Sequence, residues 1–179
     1  MTDEIRSVLL GTLGLDAALL AAGWLAVARR PRWAPAEAWR AVGVGAALAL
    51  ACQALHFGEE LATGFHRRLP ELLGLTSWSP ALFVGFNLAW IGVWAASARA
   101  VTSGRRGPLL LFPLWFLGLA SAVNGLAHPA LSLRVGGYFP GLATSPLVGV
   151  AGVALLWRLA RATGDSPRKD RNHPAGHNG

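Results

Sequence analysis

Five apolar runs, each about twenty residues long, alternate with short polar segments: Ser7 to Ala28, Ala41 to Leu61, Ala81 to Ala98, Pro108 to His128 and Leu142 to Leu159. About 20 apolar residues suffice for a helix to cross a bilayer. A backbone inside lipid must pair its own N–H and C=O groups, which a helix does within one segment. The runs therefore predict an all-α protein, a polytopic membrane helix bundle of about five transmembrane helices. It forms a single domain over residues 1–160, followed by a polar tail over 161–179 expected to be disordered and cytoplasmic. Charged residues make up 14% of the chain, well under the roughly 25% of soluble domains. The first run opens on Asp3 and Glu4, not on a basic stretch, so it is expected to be a retained helix and not a cleaved leader.

A net charge of +7 raises the question of nucleic acid. The basic residues lie between the apolar runs and in the tail, where membrane flanks carry them, so no nucleic-acid partner is expected. Loop charge sets the orientation. With the N-terminus outside, twelve basic residues face the cytoplasm (Arg29, Arg30, Arg32, Arg40, Arg99, Arg105, Arg106, Arg158, Arg161, Arg168, Lys169 and Arg171) and four (Arg6, Arg67, Arg68 and Arg134) face out. The positive-inside rule thus predicts N-out, C-in, in a multi-pass protein of the cell membrane. The Arg-, Ala-, Gly- and Leu-rich composition resembles that of GC-rich bacterial coding sequences, so a bacterial source is expected. One cysteine, Cys52, excludes an intrachain disulfide framework.

The second run closes on Cys52-Gln53-Ala54-Leu55-His56-Phe57-Gly58-Glu59-Glu60. Ionisable groups in a membrane helix are costly and usually functional. On a helix His56, Glu59 and Glu60 share a face. One imidazole with two carboxylates is half of a site for a hard or borderline metal ion. Counting 1.5 Å per residue from the cytoplasmic end, His56 stands about 24 Å up the second helix, and Asn124 and His128 about 25 and 31 Å up the fourth. The two helices run in the same direction, so their polar residues meet at one depth near the outer face. Asn87, on the third helix, is expected about 10 Å below that face, and Asp16, in the first, near the midplane. Two adjacent carboxylates in an apolar setting repel, so without a cation at least one is expected to be neutral. His66, His173 and His177 are read as interfacial or solvated, and the segment Thr63 to Pro80 as a polar interfacial connector.

The segment His56-Phe57-Gly58-Glu59-Glu60, a second histidine at His128, and Tyr138-Phe139-Pro140-Gly141 together resemble the three motifs of the HXXEE domain family, over roughly Leu20 to Leu159. The resemblance implies a small multi-pass prokaryotic membrane protein with a suspected metal site. The expected ligands of a divalent metal, zinc or iron, are His56, Glu59, Glu60 and His128. Glu60 doubles as candidate general base, and Asn124 and Tyr138 as groups that orient substrate or stabilise developing charge. Membrane lipid is the expected surrounding and a lipid-like molecule the expected substrate. Two alternatives remain: a metal-free acid–base isomerase or cyclase, and a metal or proton carrier using Asp16. The usual serine-hydrolase elbow, phosphate loop, dinucleotide glycine motif and His-Glu-x-x-His pattern are absent from the sequence.

Overall fold

The structure, a computed structural model, describes residues 3–31 and 34–165. Among these, helices α1 (Asp3–Gly11), α2 (Leu13–Ala28), α3 (Ala36–Thr63), α4 (Phe65–Leu72), α5 (Pro80–Thr102), α6 (Pro108–Val135) and α7 (Ser145–Ala162) account for nearly the whole fold. The exception is a two-stranded antiparallel ribbon of β1 (Arg29–Pro31) and β2 (Thr163–Asp165). Four helices, α3, α5, α6 and α7, are long and apolar enough to cross a membrane. Large apolar side chains such as Leu109 (88% exposed) and Leu126 (77%) cover the outside. That exterior suits lipid and not water.

The first apolar run is broken. α1 and α2 meet at a 67° bend, and only the bent pair taken together is long enough to make a fifth span. The break falls at Thr12, between Gly11 and Gly14, both poor helix formers. The Thr12 hydroxyl bonds back to the Val8 carbonyl at 2.8 Å. Trp78 lies so close to Gly11 that a Cβ there would come within 2.6 Å of its ring. Asp16 accordingly lies in the first turn of α2, just past the bend, with its carboxylate 3.5 Å from the Thr12 hydroxyl.

The expected connector from Thr63 to Pro80 is also more ordered than its sequence suggests. Gly64 ends α3 in the left-handed conformation, at φ 77°, which only glycine adopts without cost. α4 then buries His66, Leu69 and Pro70 and leaves Arg67 and Arg68 exposed. His66 is therefore not solvated. It stacks on Phe83 with ring centroids 5.7 Å apart. Burial first, and the Arg67 guanidinium second, hold its imidazole below the ordinary histidine pKa. α5 begins properly capped: the Ser79 hydroxyl accepts the Leu82 N–H at 3.3 Å, and Pro80 takes the first helical position.

α6 is the central helix. It packs on α2, α3, α5 and α7, and it buries more of itself than any other span. It runs through Pro129, past the expected end at His128, to Gly136 at φ 67°. Its approach to α7 is backbone-close, since a Cβ on Gly125 would sit 2.6 Å from the Gly149 Cα. Small residues at such crossings let helices associate where lipid removes the hydrophobic incentive. At the end away from the bend, Trp39, Val42, Leu111, Leu114, Leu155 and Leu159 form the larger apolar core. Helix α7 and β2 extend ordered structure beyond the expected boundary at residue 160. The remainder of the expected tail, residues 166–179 with His173 and His177, lies outside the described residues, as do Arg32 and Trp33.

Candidate metal centre

His56 and His128 each stand twenty residues beyond the first residue of their helix, about 30 Å along α3 and α6. Because the helices run in the same direction, the two imidazoles arrive at one level. Their ring centroids are 4.6 Å apart in an edge-to-face pair. Glu60 follows His56 by one turn and joins them. His56 Nε2 and His128 Nε2 are 3.1 Å apart, and Glu60 Oε1 lies 3.6 Å from the first and 3.3 Å from the second. All three residues are buried, and they form a group able to hold a metal ion.

The hydrogen-bond partners fix which ring nitrogens carry protons. Glu59 turns away from the two histidines and accepts four hydrogen bonds from the loop after α6. Tyr138 Oη–H (2.5 Å) and Ala143 N–H (3.0 Å) donate to Oε1, and Thr144 N–H (2.8 Å) and Oγ1–H (2.5 Å) to Oε2. The Thr144 hydroxyl has one proton, and it is given to Glu59. The same oxygen, 2.7 Å from His56 Nδ1, must therefore accept. On the other ring, His128 Nδ1 faces the Pro140 carbonyl at 2.5 Å, and a carbonyl can only accept. Both imidazoles thus carry a proton on Nδ1 and turn Nε2 inward. Two Nε2 atoms and a carboxylate oxygen converge within 3.6 Å of one another.

Such an arrangement asks for a cation. A tetrahedral ion with ligand atoms at about 2.0–2.1 Å has ligand–ligand edges of about 3.4 Å. The three observed separations, 3.1, 3.3 and 3.6 Å, bracket that edge. Two histidines and one carboxylate are also a set used by catalytic zinc and by non-haem iron(II). The Thr144 and Pro140 contacts fix the tautomer and orientation of metal-binding histidines, as outer partners commonly do. The donors fit a divalent metal.

Of the expected ligands, His56, Glu60 and His128 come together and Glu59 does not. Three residues after His56 its side chain is rotated to the other flank, where the loop takes all its acceptor capacity. Tyr138 likewise reaches Glu59 and not the three-residue group. Burial, and then the bond to Glu59, hold its phenol above the usual pKa. Asn124 lines a cleft together with Glu60, and its amide makes no hydrogen bond among the described residues. Cys52 is half-buried and outside the group. Sequence reasoning missed Thr144 and the Pro140 carbonyl, because neither residue type announces a supporting role. It also missed Gln53, 5% exposed, although its place one turn before His56 was a readable signal.

Two clefts flank the group. One runs between α5 and α6 and reaches Glu60. The other lies beside α1 and reaches His128, with Arg134 among its lining residues. Trp78, Phe65 and Thr12 line both.

Thr144→Val removes the acceptor for His56 Nδ1–H and leaves the shape nearly unchanged. Metal affinity is expected to fall about 10–100-fold, and Thr144→Ser to restore it. Titration with zinc against a competing chelator measures both.

Comparison with known proteins yields no match to a family model, to a curated protein or to a solved structure.

Proposed function

We propose that this protein is a membrane enzyme whose His56–Glu60–His128 group holds one divalent metal, zinc or iron(II), and acts on a lipid-like substrate. The observation that carries this reading is the convergence of two Nε2 atoms and a carboxylate in one buried group, each imidazole fixed from behind by Thr144 or Pro140. Three protein ligands are the number that catalytic zinc sites use, with a further position kept for water or substrate. A metal held there supplies Lewis acidity and an activated water. Among the described residues, Glu60 is the one acidic group within 3.6 Å of both imidazoles and is the candidate proton acceptor. Asn124, with its hydrogen-bonding capacity free, orients a polar group of the substrate. Tyr138 and Glu59 hold the loop that carries Pro140, Gly141 and Thr144.

We read the chain as a member of the HXXEE family on the same ground. Its three motifs, distant in sequence, supply the ligands and the loop that fixes them. In the orientation favoured by loop charge, the group lies toward the outer face of the cell membrane.

Metal content by mass spectrometry of the detergent-purified protein tests the proposal. About one zinc or iron per chain is expected in the wild type, and almost none in His56→Ala or His128→Ala. Wild type without metal from a metal-replete preparation overturns it. The metal-free acid–base reading then takes its place, with activity that survives chelation.

A further inference from the structure

The cleft that reaches Glu60 has a definite length and chemistry. One wall is the α5 stripe Phe83, Phe86, Trp90 and Trp94, at helical spacing; the other includes Phe116, Ala120 and Asn124 of α6. The α5 lining runs twelve residues, from Leu82 to Trp94, and the α6 lining eight, from Phe116 to Asn124. The longer wall is therefore about 18 Å and the shorter about 12 Å. Aromatic rings close that end: the Trp90 and Trp94 centroids lie 4.5 and 5.8 Å from that of Phe116. The cleft is thus a slot, polar at Glu60 and Asn124 and mainly aromatic beyond; Gln53 and Asn87 also line it, the first accepting a hydrogen bond from Ser121 and the second donating one to the Phe83 carbonyl.

Its side opening faces lipid. α2 and α5 both flank α6 without packing closely on one another. α5 is the least buried of the four long helices, and Leu82 at the rim is 40% exposed. Among the described residues, no Lys or Arg lines the slot. A divalent ion held by the group would balance Glu59 and Glu60, so an anionic head would add an unpaired charge.

We propose that the slot is the substrate channel and takes a neutral single-chain lipid bearing a hydroxyl or carbonyl oxygen. The chain lies along α5, and the oxygen is placed at Glu60 and Asn124. This rests on the metal reading of the same site. It adds what the site acts upon, a long-chain or prenyl alcohol, aldehyde or ketone, and excludes a two-chain phospholipid.

The test uses the full-length protein in vesicles with photoreactive probes that carry the reactive group at the chain end: hexadecanol, a prenyl alcohol, hexadecyl phosphate and a two-chain phosphatidylcholine. Labelled residues are mapped by mass spectrometry, and metal content is measured in parallel. One or both alcohols are expected to label Trp90, Trp94 or Phe116, and the preferred chain tells a straight substrate from a prenyl one. The phosphate and the phospholipid are expected to label them about tenfold less, the penalty of an unpaired head in an apolar slot. Across alcohols of increasing length, labelling should rise until the chain fills about 18 Å and then level off, whereas partition into lipid keeps rising. Ala120→Trp, inside the slot, and Leu82→Trp, at its exposed rim, should each remove the labelling and leave metal content unchanged. Equal labelling by the phospholipid, or labelling indifferent to the rim variant, overturns the substrate class while leaving the metal centre standing. Labelling by an alcohol in a metal-replete wild type that holds no metal overturns the metal reading instead.

Discussion

Glu60→Gln is expected to empty the metal centre and to leave the fold intact. The carboxylate is the only charge in the three-residue group, and its Oε1 lies within 3.6 Å of both imidazole nitrogens. An amide of the same shape is a poor ligand. Loss of a supporting partner alone weakens metal binding 10–100-fold, so loss of this ligand should exceed about 100-fold. The metal-free protein should behave in the opposite sense. In the metal-free wild type, two Nε2 atoms and a carboxylate face one another with no cation between them. In the variant, the amide N–H2 donates to a lone pair, and a neutral hydrogen bond contributes about 1 kcal/mol. Metal-free Glu60→Gln should therefore melt at or slightly above the metal-free wild type, and far below the wild type loaded with zinc. Thermal unfolding in detergent, with and without chelator, gives all four values. A variant that binds zinc as tightly as the wild type would remove Glu60 from the ligand set.

Gly141→Ala should damage fold and site together. Gly141 has φ 89°, a conformation that L side chains rarely adopt, so alanine costs about 1 kcal/mol from the backbone alone. Its Cβ would also be driven into the His128 ring, and would come 2.9 Å from the Cε1 atom of His56. Overpacking of this kind costs a further 1–3 kcal/mol, giving about 2–4 kcal/mol in all. The rings cannot yield without breaking the Nδ1 bonds to Pro140 and Thr144, so metal affinity should fall with stability. Gly137→Ala, where the added Cβ meets nothing within 4 Å, serves as the control and should change neither. A Gly141→Ala protein with normal melting and normal metal content would mean that the loop lies farther from the histidines.

These two variants also mark the limits of what residues along a chain reveal. The sense of α3 and α6 and the level of His56 and His128 were legible because spans of one direction and a fixed rise per residue leave little freedom. The pairing of His56 with Glu60 was legible because i and i+4 share a helix face. Glu59 was the instructive failure. The same face includes it, and only the loop from Tyr138 to Thr144 decides that its carboxylate turns outward. That loop is seventy-nine to eighty-five residues away. Gly11 and Gly14 weaken the first apolar run as a helix, but they do not by themselves forecast a 67° break, because the Trp78 ring that fills the space beside Gly11 comes from a distant segment.

Residue order and hydropathy sufficed for the helical class, four of the five expected spans and the level at which ionisable side chains gather. Lipid permits few backbone solutions, and hydropathy reads them directly. Long-range packing settled which carboxylate faces the histidines, what their Nδ1 atoms face and where the slot runs. Those depend on hydrogen bonds and close approaches between segments far apart in the chain, which no local pattern encodes.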